Sequence, residues 1–96
     1  MYFAYIMRCA DGTLYTGYTD DIARREVVHN SGRGAKYTRS RLPVKMVYHE
    51  SFATRSEAMK RECAIKRLSR EQKLKLIADH SNTGQVIPAR YCYDLL

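Results

Sequence analysis

A chain of 96 residues has room for one small core, since a domain of this size buries only about two-thirds of its unfolded surface. Hydrophobic residues at 45% and charged residues at 28% exclude a disordered chain, and no apolar run approaches the roughly 18 to 20 residues of a membrane span. The net charge of +7 is unevenly placed: residues 31–76 hold 13 Lys/Arg against 4 Asp/Glu, the footprint of a phosphate-backbone binder.

The first element, YFAYIMRC over residues 2–9, is aromatic and β-branched and predicts a strand rather than a signal peptide. Ala10-Asp11-Gly12 reads as a turn into a second strand, Thr13–Tyr18, forming a hairpin. Thr19 or Asp20 can cap a helix to about Asn30. Residues 31–41, SGRGAKYTRSR, read as an exposed basic loop. Val44–Glu50 alternates as a third strand after Pro43. Thr54-Arg55-Ser56-Glu57 and Ser69-Arg70-Glu71-Gln72 are capping boxes, opening helices to about Arg67 and Asp79. The expected fold is therefore α+β: a small three-stranded antiparallel sheet flanked by helices, in the order β-β-α-β-α-α. Residues 1–80 form the domain and 81–96 a C-terminal tail.

The three cysteines, Cys9, Cys63 and Cys92, are far apart and lack a C-x-x-C pair, which points to a reduced, cytoplasmic setting. Common nucleotide-loop, zinc-protease and serine-hydrolase motifs are missing. What remains is a dispersed constellation. Tyr5 and Tyr15 lie on the two hairpin strands, Arg25 and His29 one helical turn apart, and Glu62 in a basic helix beside Lys66. Taken singly, each has an ordinary reading: strand aromatics, surface helix charges, an i,i+4 ion pair.

In series they resemble the GIY-YIG nuclease superfamily, in particular its small single-domain bacterial branch, the UPF0213 type. The resemblance rests on Ala4-Tyr5-Ile6, Tyr15-Thr16-Gly17, Asp20-x-x-x-Arg24-Arg25-x-x-x-His29-Asn30, Lys36-Tyr37-Thr38 and Glu57-Ala58…Glu62…Ile65-Lys66, and covers about residues 2–77. The first triplet departs from the family by lacking its initial Gly, and Tyr18 follows Gly17 where some members carry Lys.

The resemblance implies a DNA endonuclease hydrolysing phosphodiester bonds, in repair or recombination, with one Mg²⁺ or Mn²⁺ ion. Tyr5, Tyr15, Arg25 and His29 are the implied catalytic residues and Glu62 the metal ligand. Which tyrosine accepts the proton stays open. Arg33, Lys36, Tyr37, Thr38, Arg39, Arg41 and Lys66 are the expected nucleic-acid contacts, on a monomer whose specificity a protein partner could supply. The competing reading is a non-catalytic nucleic-acid-binding module on the same fold.

One expectation is geometric. A three-residue loop, Ala10-Asp11-Gly12, makes the numbers of paired residues sum to 22, so Tyr5 opposes Gly17 and Tyr15 opposes Met7, all on one face. A two-residue loop would send the tyrosines to opposite faces. Glycine opposite Tyr5 would leave open space for a substrate backbone, with Arg25 and Glu62 converging there.

Overall fold

The central strand is the most apolar segment, and it sits where both of its faces can be covered. In the computed structural model, which describes residues 1–83, β1 (Tyr2–Arg8) lies between β2 (Leu14–Thr19) and β3 (Lys45–Phe52) in an antiparallel sheet of order β2-β1-β3. Ala4, Tyr5, Ile6 and Met7 are all buried. Alternation along the strand divides them between two layers. Ala4 and Ile6 join Tyr48 of β3 with Ile65, Leu76 and Ile77 of α3 (Arg55–Lys66) and α4 (Arg70–Thr83). Tyr5 and Met7 join Cys9 and Val44 on the opposite face, under Ile22 of α1 (Ile22–Asn30).

The hairpin has the odd loop. Cys9 N–H donates to Thr13 O at 2.8 Å, Gly12 takes φ +86°, and β1 pairs Tyr5 with Gly17 and Met7 with Tyr15. Asp11 Oδ1 accepts from both the backbone N–H and the hydroxyl of Thr13, fixing the turn.

The helix starts follow local hydrogen-bonding chemistry. Asp21, one residue beyond the expected cap, receives Arg24 N–H, while Thr19 Oγ1 accepts from Asp21 N–H. Thr54 and Glu57 form the reciprocal box at α3, and Ser69 and Gln72 do the same at α4. The helix α4 runs through Thr83; most of the expected tail, residues 84–96, lies outside the described residues. Among the described residues no helix is long and apolar enough to cross a membrane.

Two features differ from the sequence reading. The loop 31–41 contains a helical turn, α2 (Lys36–Arg39), which turns the Thr38 side chain fully inward. The third strand starts at Lys45 and continues to Phe52, with one extra residue at Val47 where the pairing shifts between Ile6–Tyr48 and Met7–Met46. This bulge lies on an edge strand, where it disfavours further pairing. Side chains of α1 cover the start of the same strand: Asn30 brackets the backbone N–H and C=O of Val44, and Glu26 accepts from Met46 N–H.

Candidate active site

The register places the Tyr5 and Tyr15 side chains on the α1 face of the sheet. Tyr5 is 1% exposed, and its phenol lies across Gly17. A Cβ at Gly17 would stand 2.5 Å from the Tyr5 oxygen and 2.7 Å from Cζ. The space expected beside this ring for a substrate is therefore filled by the ring itself. That expectation is corrected: glycine here makes room for Tyr5.

Helix α1 brings Arg25 and His29 onto the same face. His29 is fully buried, with Nδ1 2.8 Å from Thr38 Oγ1 and Nε2 3.5 Å from the Tyr5 hydroxyl. The Thr38 hydroxyl donates to Ala35 O at 2.9 Å, so toward His29 it acts as acceptor. This fixes the tautomer: Nδ1 carries the hydrogen, and the Nε2 lone pair faces Tyr5. Burial, and then the charge of Arg25, holds His29 below the ordinary 6.5 and keeps it neutral. Burial likewise pushes Tyr5 up to about 12. A hydrogen bond from Arg25 opposes this rise, while Tyr15 and Glu62 add to it. Tyr5 therefore keeps its proton at neutral pH and directs it at His29.

Glu62 comes from α3, which packs on the opposite face of the sheet, yet its charge is within electrostatic reach of Tyr5. The Glu62 side chain is 16% exposed and pairs with Lys66 at 3.6 Å. Among the described residues no group of three or more His, Cys, Asp or Glu side chains gathers. One carboxylate beside open solvent suits a hard, water-rich divalent ion better than a caged transition metal.

Tyr15 is half-buried. Its ring lies 5.4 Å from His29 on one side and 6.0 Å from Tyr37 on the other, nearly parallel to Tyr37 at 27°. Together with Leu14, Thr16, Lys66 and Lys73, these two tyrosines line a shallow cavity of about 250 Å³. Lys73 lies on α4, one residue past its capping box, where the local sequence marks only a helix start. Arg33, Lys36 and Arg39 are exposed on the α1–α2 connection and α2, and Tyr37 is 40% exposed beside them.

Thr38 departs from its expected role. At 0% exposure, with its hydroxyl engaged by His29 and Ala35, it cannot meet a nucleic-acid backbone and instead supports His29. The glycine pair before it is also structural: a Cβ at Gly34 would overlap the His29 ring. Arg41, counted among the expected contacts, pairs with Asp11 at 3.2 Å and covers the Tyr37 ring at 4.0 Å.

The paired tyrosines and Arg25 thus lie on one face of a three-stranded antiparallel sheet, with Glu62 within electrostatic reach of Tyr5. The profile of the GIY-YIG catalytic domain matches residues 1–75, and the chain belongs to that nuclease family. Its curated relatives lie in the UPF0213 branch. A UPF0213 protein of Staphylococcus saprophyticus is 56% identical over 78 residues, covering 81% of this chain and 95% of the relative. One from Streptococcus agalactiae is 52% identical over 80 residues, covering 83% and 91%. Among solved structures, the solution NMR structure of a UPF0213 protein from Bacillus halodurans is similar with a TM-score of 0.52 and 47% identity, covering 81% of this chain and 84% of that one. A protein from E. faecalis gives 0.53 and 45%, covering 82% and 85%.

Proposed function

We propose that the chain is a metal-dependent DNA endonuclease in which Tyr15, Arg25 and Glu62 meet the substrate, and Tyr5 and His29 hold them in place. The observation that supports this reading is the placing of two phenols and a guanidinium on one sheet face, with the Glu62 carboxylate of α3 within electrostatic reach of Tyr5. Glu62 would hold one Mg²⁺ or Mn²⁺, which when bound supplies positive charge for the phosphate to lean on. Arg25 has no carboxylate partner among the described residues, and its Nε is buried without a hydrogen-bond acceptor. Its charge is thus available to the phosphate oxygens as their charge grows.

The two tyrosines then take different parts. Tyr5 is buried and holds its proton, so it orients Arg25 and His29. Tyr15 is half-exposed beside the shallow cavity, so its Oη is the one we assign to take the attacking water's proton. That step requires the phenolate, and therefore nearby positive charge to favour loss of the phenol's own proton. The basic connection carrying Arg33, Lys36 and Arg39 would run along the DNA backbone, on a protein that acts in DNA repair or recombination.

The test is direct. The purified protein is incubated with single-stranded, nicked, flapped and branched DNA, with and without Mg²⁺ or Mn²⁺. Cleavage that requires the ion is expected. Glu62→Ala and Arg25→Ala should each lower it by about a hundredfold or more while DNA binding persists. Tyr15→Phe should cost more in kcat than Tyr5→Phe. Folded protein that binds DNA but cuts none of these substrates would instead be a binding module.

A further inference from the structure

The basic segment that resembles a row of phosphate contacts contains one arginine whose charge is already committed. Arg41 Nε pairs with Asp11 Oδ2 at 3.2 Å, and its Nη1 donates to Tyr37 O at 2.6 Å. Its guanidinium carbon lies over the Tyr37 ring, 4.0 Å from the centroid. The backbone is tied in as well, with Ala10 N–H donating to Arg41 O at 2.9 Å. Tyr37 stacks in turn on Tyr15, and Tyr15 packs on the buried His29. A continuous row of planar groups thus runs from the hairpin tip to the interior: Arg41, Tyr37, Tyr15, His29.

We infer that Arg41 is a positioning residue for Tyr15, held by Asp11 at the hairpin tip and acting through the Tyr37 ring, rather than a contact to nucleic acid. The geometry supports this assignment in three ways. Tyr37 is the most exposed ring in the row, and a four-residue helix anchors it only weakly. Its orientation therefore depends on what covers it. Arg41 grips both the ring and the carbonyl of the same residue, which fixes position and tilt together. Asp11, for its part, uses one carboxylate oxygen on the Thr13 turn and the other on Arg41. The turn that sets the tyrosine register thereby also sets the arginine that steadies the tyrosine stack.

The kinetic consequence rests on the nuclease reading above, and the test separates the two. Arg41→Gln removes the charge. Asp11→Asn keeps the Oδ1 acceptor for Thr13 and breaks only the ion pair, while making the surface more positive. Cleavage kinetics, the salt dependence of DNA binding, and the Tyr15 and Tyr37 ring resonances by NMR are measured for both variants and for the double variant. Each single variant should lower kcat by about tenfold, since small misplacements of a reacting group are costly, with KM and the salt slope unchanged. The double variant should be no worse than either one, because both cut the same link. The Tyr15 ring resonances should shift in both variants.

Arg41→Gln flattening the log–log salt slope by about one unit with kcat intact would assign Arg41 to the DNA backbone and overturn the proposal. Asp11→Asn with unchanged kcat would overturn it too. Should the parent protein cut no DNA, the nuclease reading fails, but the NMR arm still decides this one. Tyr15 resonances that move in both variants would uphold the positioning role, and unmoved resonances would end it.

Discussion

His29 shows how much a single side chain can be constrained without being charged. Its Nδ1–H is spent on Thr38 and its Nε2 lone pair on Tyr5, so protonation would put a second N–H against a phenol proton in a buried site. Burial and Arg25 both lower its proton affinity in the fold. The unfolded chain, titrating near 6.5, therefore binds a proton that the native chain refuses. Stability should be unaffected above about pH 7.5 and should fall as pH drops below the unfolded value, down to the depressed folded one. His49, lowered by burial and by His80, adds a contribution of the same sign. Urea midpoints between pH 7.5 and 5 should slope downward. In His29→Gln the slope should be shallower, and an equal slope would place the acid sensitivity elsewhere. None of this was visible in the sequence. A histidine in a nine-residue helix whose other residues are half-buried or exposed reads as a helix-end charge. Its burial comes from α2 and Gly34 folding over it, a contact between segments that no local pattern records. Tyr5 and Tyr15, by contrast, were legible, because strand alternation and the length of one loop decide their faces by parity alone.

At the scale of elements, what was readable is what is local. Both capping boxes formed as spelled, because each is settled within four residues. The turn α2 was not readable, being short and dependent on its inward-facing threonine. Nor was the tie between β3 and α3. Glu50 opposes Ala4 in the sheet, and Arg61 Nε reaches it at 2.9 Å with both side chains about 5% exposed, while the Tyr48 hydroxyl donates to the same carboxylate. The sequence shows only a glutamate ending one alternating run and an arginine in a charged helix. This pair fixes how α3 sits on the sheet, and hence where Glu62, the next residue, emerges. Glu50→Ala would leave a buried guanidinium without its counter-charge, a loss of about 3 to 5 kcal/mol. Replacing both, as Glu50→Leu with Arg61→Met, should recover much of that in urea unfolding, since two apolar chains leave no orphaned charge. A single variant no less stable than the parent would show the pair to be unimportant.

For the whole molecule the dominant quantity is charge, +7 on 96 residues. The excess is aimed: Arg33, Lys36 and Arg39 stand exposed on the stretch that also encloses His29. If DNA follows that stretch, affinity should fall with salt at a log–log slope of about −0.7 to −0.9 per phosphate contact. Neutralising Arg33, Lys36 or Arg39 should each reduce the slope by about one unit, with base preference unchanged. A slope indifferent to all three would direct the binding surface toward α4, where Lys73 lines the shallow cavity. The charge excess was legible from the sequence; its division into exposed contacts and a side chain already engaged by Asp11 needed the fold.

Gly17 and Gly34 carry no functional group, yet each is the mould for a ring: Tyr5 occupies the hollow at one, His29 the hollow at the other. The centre is thus shaped as much by missing methyl groups as by the groups that are present. Alanine at either position deletes no chemistry and still displaces a ring, so in a mutational scan these glycines would score like Tyr5 and His29 themselves. The dependence also runs backwards. Only a chain that had first exchanged Tyr5 for something slimmer could accept a side chain at position 17, and that order of events makes the two positions inherit change as a pair.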